Sequence, residues 1–301
     1  MTLQPAAQSR ARSIQGALLL AGLTALWGST FVVVKDAVDP SSPGAWPVGL
    51  FMCVRFFLAA ICFIPFFLRR DGRLWIAGVE LGVFLFLGYF SQIIGQKYTS
   101  VARSAFITST YVILVPVCST FIGRHVRLII WICALMALAG VAFLSFDASP
   151  PNRGDLWTCA TALAYSIYML RLESHSRRFP APALTGISLL TVACCSLPFA
   201  MAEARPNTPP PYFALLYLSL ICTALVTWLQ TIGQSLVSAS QAAIIFTLEP
   251  CFALAFAYLI HRESLGPRGW LGASFILAAA LFSQIPAFSK ADQQPAKEIN
   301  H

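Results

Sequence analysis

Long uncharged runs of apolar residues, separated by short polar or charged segments, fill most of this chain. A helix needs about 20 residues to cross the hydrocarbon core of a bilayer. Runs near that length predict ten spans, at 14–34, 46–68, 74–95, 104–123, 128–146, 156–170, 182–202, 213–234, 240–260 and 269–288. The sixth is short, and the eighth and ninth must be divided near 235–240. The pattern therefore predicts an all-α membrane protein with ten transmembrane helices.

Composition agrees with a membrane protein, because 57% of the residues are hydrophobic and only 11% are charged. Soluble domains carry roughly a quarter charged residues. The net charge of +8 comes from small basic clusters between apolar runs, which does not resemble a nucleic-acid-binding stripe. The nine cysteines lie inside apolar runs without C-x-x-C spacing, so we expect small buried side chains and no metal site.

The placement of Lys and Arg predicts the orientation in the membrane through the positive-inside rule. If both termini are cytoplasmic, twelve of these residues lie inside and seven outside, while Arg55 falls within a span. The inside set is Arg10, Arg12, Arg69, Arg70, Arg73, Arg124, Arg127, Arg171, Arg177, Arg178, Lys290 and Lys297. We therefore expect a multi-pass protein of the plasma (inner) membrane with both termini in the cytoplasm.

The chain also contains an internal repeat. Residues 92–107 (QIIGQKYTSVARSAFI) and 230–245 (QTIGQSLVSASQAAII) share seven identities in sixteen positions at an offset of 138. The same offset aligns Gly16 with Gly154. Five helices per half is an odd number, so the second half would be inverted in the membrane, a common transporter design. The predicted organisation is a tail (1–13), a first repeat (14–146), a linker (147–153), a second repeat (154–288) and a tail (289–301).

Three segments resemble the EamA family of the drug/metabolite transporter superfamily. They are 25–38 (ALWGSTFVVVKDAV), 98–116 (YTSVARSAFITSTYVILVP) and 238–269, which contains LEPCFALAFAYLIHRESLGPRG. The resemblance implies a ten-helix inverted-repeat carrier that often exports amino acids, aromatic compounds or other small metabolites. The positions that match the family's recurring residues are Trp27, Arg55, Pro116, Glu249, Pro250 and Glu263. The 123–127 loop lacks the Glu that members often place there, which puts a symmetric role of the two loops in doubt.

Charged residues inside predicted spans are functional hypotheses because charge is costly in the bilayer. Arg55 and Glu249 each lie about nine residues into a span, which is close to mid-bilayer. They could form a structural ion pair or line a transport pathway. Glu249 is also a candidate for proton coupling. Glu80 is a secondary candidate for proton coupling. It lies nearer the end of its span, so its side chain could instead reach the membrane interface.

Paired helix breaks and polar stripes predict where the pathway lies. Pro116 and Pro250 fall in corresponding spans, and paired interruptions point to a transporter site, although ordinary kinks are the alternative. Two pairs of glutamines share a helical face through four-residue spacing, Gln92 with Gln96 and Gln230 with Gln234. They could serve opposite gates or form interhelical hydrogen bonds. Aromatic lining of the pathway is predicted from Trp27, Tyr89, Tyr111, Tyr165, Tyr168 and Trp228.

These features predict a secondary transporter that exports small metabolites by alternating access. The chain has no phosphate-binding loop, dinucleotide turn or H-E-x-x-H motif, so we expect neither an enzyme nor a cofactor. The expected partners are membrane lipid and a small-molecule substrate, with no nucleic acid, in a monomer or homodimer. The alternatives are a carrier of phosphorylated or lipid-linked solutes and, from another class, an integral-membrane enzyme.

Overall fold

The described part of the chain consists of helices and turns and contains no β-strand. The computed structural model describes residues 4–38, 46–67, 71–99, 101–145, 150–203, 209–210, 212–252 and 266–284. The predicted all-α fold is confirmed over these residues. Glu263, the remainder of the predicted ninth span, residues 147–149 of the predicted linker and the predicted C-terminal tail lie outside them.

The helices follow one another with short connections. In chain order they are α1 (Gln4–Val38), α2 (Val48–Ile61), α3 (Ile64–Phe67), α4 (Gly72–Gln96), α5 (Val101–Ser109), α6 (Tyr111–Phe121), α7 (Leu128–Ser145), α8 (Arg153–Ser176), α9 (Ala181–Ala202), α10 (Tyr212–Leu216), a π-helical segment (Tyr217–Leu225), α11 (Val226–Leu236), α12 (Ala239–Phe246) and α13 (Pro267–Phe282). Four stretches of the described residues are long and apolar enough to cross a membrane, namely Gly72–Gln96, Arg103–Phe121, Ala181–Ala202 and Tyr212–Leu236.

Several helix ends differ from the predicted spans because polar groups extend the helices. Helix α1 begins at Gln4, within the predicted N-terminal tail. Helix α8 begins at Arg153, where Asn152 and Asp155 form a capping box, and it continues past the predicted end at 170 to Ser176. Its last two turns carry charged residues that are paired with other helices, so they can remain helical beyond the apolar run.

Two helices are interrupted in the same way. Helices α5 and α6 are separated at Thr110, and α12 ends before a break at 247–248, after which a helical turn covers 249–252. At each break a threonine hydroxyl donates to the carbonyl three residues earlier, Thr110 to Ile107 and Thr247 to Ile244, both at 2.6 Å. Such back-bonding competes with the helical pattern. Pro116 lies within α6, which remains helical.

Two pairs of glycines allow helices distant in sequence to approach closely. A Cβ atom on Gly95 of α4 would lie 2.6 Å from Thr158 Oγ1 and 3.1 Å from the carbonyl oxygen of Gly154 on α8. A Cβ atom on Gly16 of α1 would lie 3.1 Å from the carbonyl oxygen of Gly233 on α11. Only glycine leaves room for these backbone contacts, as in other small-residue helix interfaces.

Ion pairs hold both ends of α8. Near its start, Asp155 accepts two hydrogen bonds of 2.7 Å from Arg103 of α5, and this guanidinium holds the pKa of Asp155 below its usual value. Near its end, Glu173 pairs with Arg124, the residue after the α6 turn, at 2.9 Å. Asp155 and Glu173 lie eighteen residues apart, which corresponds to about 27 Å along a helix. We call these the Asp155 end and the Glu173 end of the bundle.

Candidate substrate site

Arg55 is a buried cation in the middle of α2. Its side chain lies where α2 meets the π-helical segment, and only 8% of the residue is exposed. Its Nε donates a hydrogen bond of 2.7 Å to Thr223 Oγ1. Among the described residues, its two Nη groups have no hydrogen-bond or ion-pair partner. Because π-helical turns are frequent at functional sites, this arrangement is a candidate anion-binding group.

Two tyrosines lie beside Arg55. The rings of Tyr89 on α4 and Tyr165 on α8 meet edge to face, with centroids 6.0 Å apart. The Tyr165 hydroxyl donates to Gln92 Oε1 at 3.2 Å, and the Tyr165 ring lies directly against Gly88, where a Cβ atom would overlap it. Both tyrosines interact electrostatically with Arg55. Predicted pathway residues from the two halves of the chain are therefore brought together here.

Glu249 faces the same tyrosines from another helix. It is the first residue of the helical turn that follows the 247–248 break, and it is partly accessible. It lies close enough to Tyr89, Tyr111 and Tyr165 for its charge to disfavour their ionisation. Within the described residues, no hydrogen bond or ion pair reaches its carboxylate, and none joins it to Arg55. The direct ion pair considered from the sequence is therefore not formed in this structure.

Among the described residues, neither the Arg55 Nη groups nor the Glu249 carboxylate has a hydrogen-bond or ion-pair partner. Arg55 lies near Tyr89 and Tyr165, and Glu249 lies near these two and Tyr111; we call the three tyrosines the tyrosine cluster. Uncompensated charge in a low-dielectric environment is costly. A ligand that brings a carboxylate to Arg55 and an ammonium group to Glu249 would compensate both charges. The aromatic rings between them would provide an apolar surface for the rest of such a ligand.

The other aromatic residues predicted to line the pathway pack against residues of neighbouring helices. Trp27 packs edge to face on Phe246 of α12, with centroids 5.3 Å apart. Tyr168 is 3% exposed and belongs to the core. The Trp228 ring packs on Phe63 at 6.4 Å, and its buried Nε1 has no hydrogen-bond partner among the described residues. Pro116 is buried in α6, and Pro250 directly follows Glu249.

The second glutamine stripe makes contacts inside the protein. Gln230 Nε2 donates to Gln234 Oε1 at 3.2 Å, and Gln234 Nε2 donates to the Met169 carbonyl of α8 at 3.3 Å. Both glutamines are buried. This geometry favours the interhelical hydrogen-bond interpretation for Gln234. In the first stripe, Gln92 accepts from Tyr165, while Gln96 lies partly buried at the last residue of α4.

Glu80 is part of an ion cluster and not of the tyrosine cluster. Its carboxylate pairs with Arg171 at 2.5 Å and with His175 at 2.9 Å, both on α8. The Glu80 side chain is 27% exposed. The cluster joins α4 to the last turns of α8, near Glu173. This placement agrees with the interfacial interpretation of Glu80.

Some polar residues that organise the site were not singled out from the sequence. Thr223 orients the Arg55 side chain. Asp155 and Glu173 form the ion pairs at the two ends of α8. Glu203 accepts hydrogen bonds of 3.0 Å from the backbone N–H groups of Gly49 and Leu50 at the start of α2. A signal for Thr223 is present in the sequence. Hydroxyl residues recur every four positions along one face of the eighth span, at Ser219, Thr223, Thr227 and Thr231.

Comparison with known proteins identifies the family to which this chain belongs. Residues 14–146 and 152–284 each match the EamA-like transporter family. A solved structure described as a crystal structure of protein has a TM-score of 0.74 at 18% identity, and the match covers 89% of this chain and 96% of that one. The protein is a member of the EamA-like transporter family, and the predicted family resemblance is confirmed.

Relatives carry transporter names. An uncharacterized transporter of Archaeoglobus fulgidus is 34% identical over 268 residues, covering 87% of this chain and 83% of the relative. The uncharacterized transporter YetK of Bacillus subtilis is 24% identical, covering 93% and 89%. The uncharacterized inner membrane transporter YedA of Escherichia coli K12 is 22% identical, covering 87% and 88%. The family and these names indicate a membrane transporter and not an enzyme.

Proposed function

We propose that this protein is a secondary carrier that exports small zwitterionic metabolites, such as amino acids, including aromatic ones, by alternating access. The observation that carries the proposal is that Arg55 and Glu249 both lie near the tyrosine cluster and that neither has an ion-pair partner among the described residues. Arg55 binds the carboxylate and Glu249 the ammonium group. A phosphorylated solute would bring two negative charges to a site that offers one cation and one carboxylate, so the zwitterion is the better match.

The proposed architecture is ten helices in two inverted repeats, with the substrate site between the halves. Reciprocal contacts support it, because the 138-residue offset maps Gly95 onto Gly233 and Gly154 onto Gly16. The contact of Gly95 in the first half with Gly154 in the second therefore has a counterpart, in which Gly233 of the second half contacts Gly16 of the first. The two threonine-bonded breaks lie at nearly the same offset. Five helices in each half make the repeats inverted.

Orientation and coupling complete the proposal. The Lys and Arg distribution supports cytoplasmic termini, which makes the Glu173 end the cytoplasmic end, and YedA supports the inner membrane as the location. Glu249 can bind a proton or a substrate ammonium group in turn, so it is the proposed coupling residue. Glu80 is secondary because Arg171 and His175 already engage its carboxylate. Reporter fusions at Arg177 and Ser289 should report cytoplasm, and a fusion at Arg205 should report the outside.

Transport by purified protein in liposomes tests the function. Radiolabelled amino acids, aromatic amines, aromatic acids, nucleosides and sugar phosphates would be compared in vesicles with and without a proton gradient. Flux of zwitterionic amino acids is expected to exceed that of the other classes. Preferential flux of a phosphorylated solute would overturn the proposed substrate class. Chemical turnover of a solute in detergent, without vesicles, would overturn the carrier itself.

A further inference from the structure

One carboxylate oxygen joins the two interrupted helices at the Glu173 end. Glu173 Oε2 accepts a hydrogen bond of 2.9 Å from Nη1 of Arg124, which follows the turn at 122–123 after α6. The same oxygen accepts a hydrogen bond of 3.0 Å from the backbone N–H of Ala239, the first residue of α12. Its other oxygen, Oε1, pairs with Arg177 of the same helix at 3.0 Å. The Glu173 side chain is only 10% exposed.

The two helices joined in this way are those that carry the breaks and prolines. Helix α6 follows the Thr110 break and contains Pro116, while α12 leads to the break at 247–248, Glu249 and Pro250. Helices α6 and α12 also pack against each other. A single contact at their shared end therefore restrains both segments that border the tyrosine cluster.

We infer that Glu173, with Arg124 and the Ala239 N–H, forms a latch that closes the cytoplasmic end of the transport pathway. Opening toward the cytoplasm requires α6 and α12 to separate at this end, which breaks at least one of the two hydrogen bonds to Oε2. Glu173 touches no substrate and is a positioning residue, since it acts by setting the positions of α6 and α12. The inference rests on the proposed alternating-access function.

The sequence pattern agrees with a role for Arg124. The 123–127 loop reads GRHVR and places the cationic residue Arg124 directly after Gly123, whose positive φ of 77° lets the chain turn directly after α6. The turn brings Arg124 to Glu173. The loop therefore supplies a cation to a carboxylate on α8.

The test measures how readily one buried cysteine is labelled from each side of the membrane. Ala243 of α12 is 0% exposed, so an Ala243→Cys probe, in a protein lacking the nine native cysteines, reports opening at the cytoplasmic end. A second probe, Gln92→Cys, reports the opposite end. Each is labelled with a membrane-impermeant maleimide in vesicles of known orientation. Glu173→Gln keeps the volume but replaces one acceptor oxygen with a donor.

Glu173→Gln is expected to raise the cytoplasmic labelling rate of the Ala243→Cys probe about tenfold, as expected when a charge-assisted contact that favours one state is lost. The rate at position 92 should stay unchanged or fall. The matched control is Arg177→Gln, which removes the Oε1 partner and leaves both helix contacts in place, so its rate should equal that of the unsubstituted protein. Arg124→Gln carries the test if Glu173→Gln is too unstable to purify, because the Arg124 side chain is 41% exposed.

Unchanged labelling of the Ala243→Cys probe in both latch variants would overturn the inference. A rise at both probes would also overturn it, because general loosening has no sidedness. An equal rise in Arg177→Gln would overturn it as well, since the effect would then belong to charge alone. No substrate is needed for the labelling, so a failed latch and a wrong substrate class are separate results.

Discussion

Arg55 Nε lies 2.7 Å from Thr223 Oγ1, across the contact between α2 and the π-helical segment. This hydrogen bond uses the Nε donor and fixes the plane of the guanidinium, so both Nη groups are left for a ligand. Arginine can hold a carboxylate through two parallel N–H donors. The threonine thus orients a buried guanidinium, which supports its proposed role in binding a substrate carboxylate.

Arg55→Lys is expected to weaken substrate affinity by about tenfold or more, because a lysine ammonium cannot bind Thr223 and a carboxylate in the same planar geometry. Thr223→Val should cause a smaller loss, since the guanidinium remains but loses its orientation. Thr223→Ser keeps the hydroxyl and is the matched control. The measurement is the half-saturation concentration for liposome uptake. Equal affinity in the Arg55→Lys and wild-type proteins would contradict this account of Arg55.

Because no ion pair joins Arg55 and Glu249, their contributions to stability should be nearly independent. The changes in the free energy of unfolding caused by Arg55→Gln and by Glu249→Gln are expected to add in the double variant to within about 0.5 kcal/mol. All three variants should lose transport. Reversible denaturation and flux are measured on the same preparations. Restored stability in the double variant would indicate a direct pair, and restored flux would reject the role of Glu249 in transport.

The contact between Gly88 and the Tyr165 ring predicts a steric effect. Gly88→Ala places a Cβ atom where the ring now lies, so Tyr165 must move away from Gln92, at a cost of about 1–3 kcal/mol for overpacking. The melting temperature and the substrate affinity should both fall. Gly22→Ala is the control, because a Cβ atom there meets nothing within 4 Å. Equal melting temperatures for the two variants would show that the Tyr165 contact is unimportant.

The Arg103–Asp155 pair predicts a dependence of stability on pH. The low pKa of Asp155 means that the folded protein favours the ionised carboxylate, so the stabilisation is present above its ordinary pKa of about 3.9 and is lost as the pH falls through the lower folded value. Asp155→Asn should cost about 1–3 kcal/mol at pH 7. Melting curves from pH 7 to pH 3 should converge with those of the wild type at the acid end. Parallel curves would contradict the assignment.

The apolar runs correctly predicted an all-helical fold over the described residues, because backbone groups in lipid must be satisfied within the helix, and four described stretches are long and apolar enough to cross a membrane. Features created by tertiary contacts were harder to predict. The last turns of α8 lie beyond the apolar run and are helical with Arg171, Glu173 and His175 paired to partners distant in sequence. The break at Thr110 precedes Pro116, so the proline marked the interrupted helix but not the position of the interruption.

The sequence predicted the charged residues of the candidate site but not how they are arranged, because that arrangement depends on tertiary contacts. Arg55 and Glu249 stand out in a sequence because charge is rare in apolar runs. Their relation to each other depends on how α2, α4, α8 and the 249–252 turn assemble, which no local pattern specifies. Thr223 lies 168 residues from Arg55, and only its four-residue spacing from other hydroxyl residues indicated a polar helix face.

The most direct test is whether a substrate must carry both a carboxylate, which Arg55 is proposed to bind, and an ammonium group, which Glu249 is proposed to bind. Liposome uptake of a transported amino acid would be measured in competition with the same amino acid, its methyl ester and its N-acetyl derivative. Only the free amino acid is expected to compete in the wild type. The Arg55→Gln variant should no longer prefer the free amino acid over its methyl ester. The Glu249→Gln variant should no longer prefer the free amino acid over its N-acetyl derivative. Equal competition by all three compounds in the wild type would contradict the central claim.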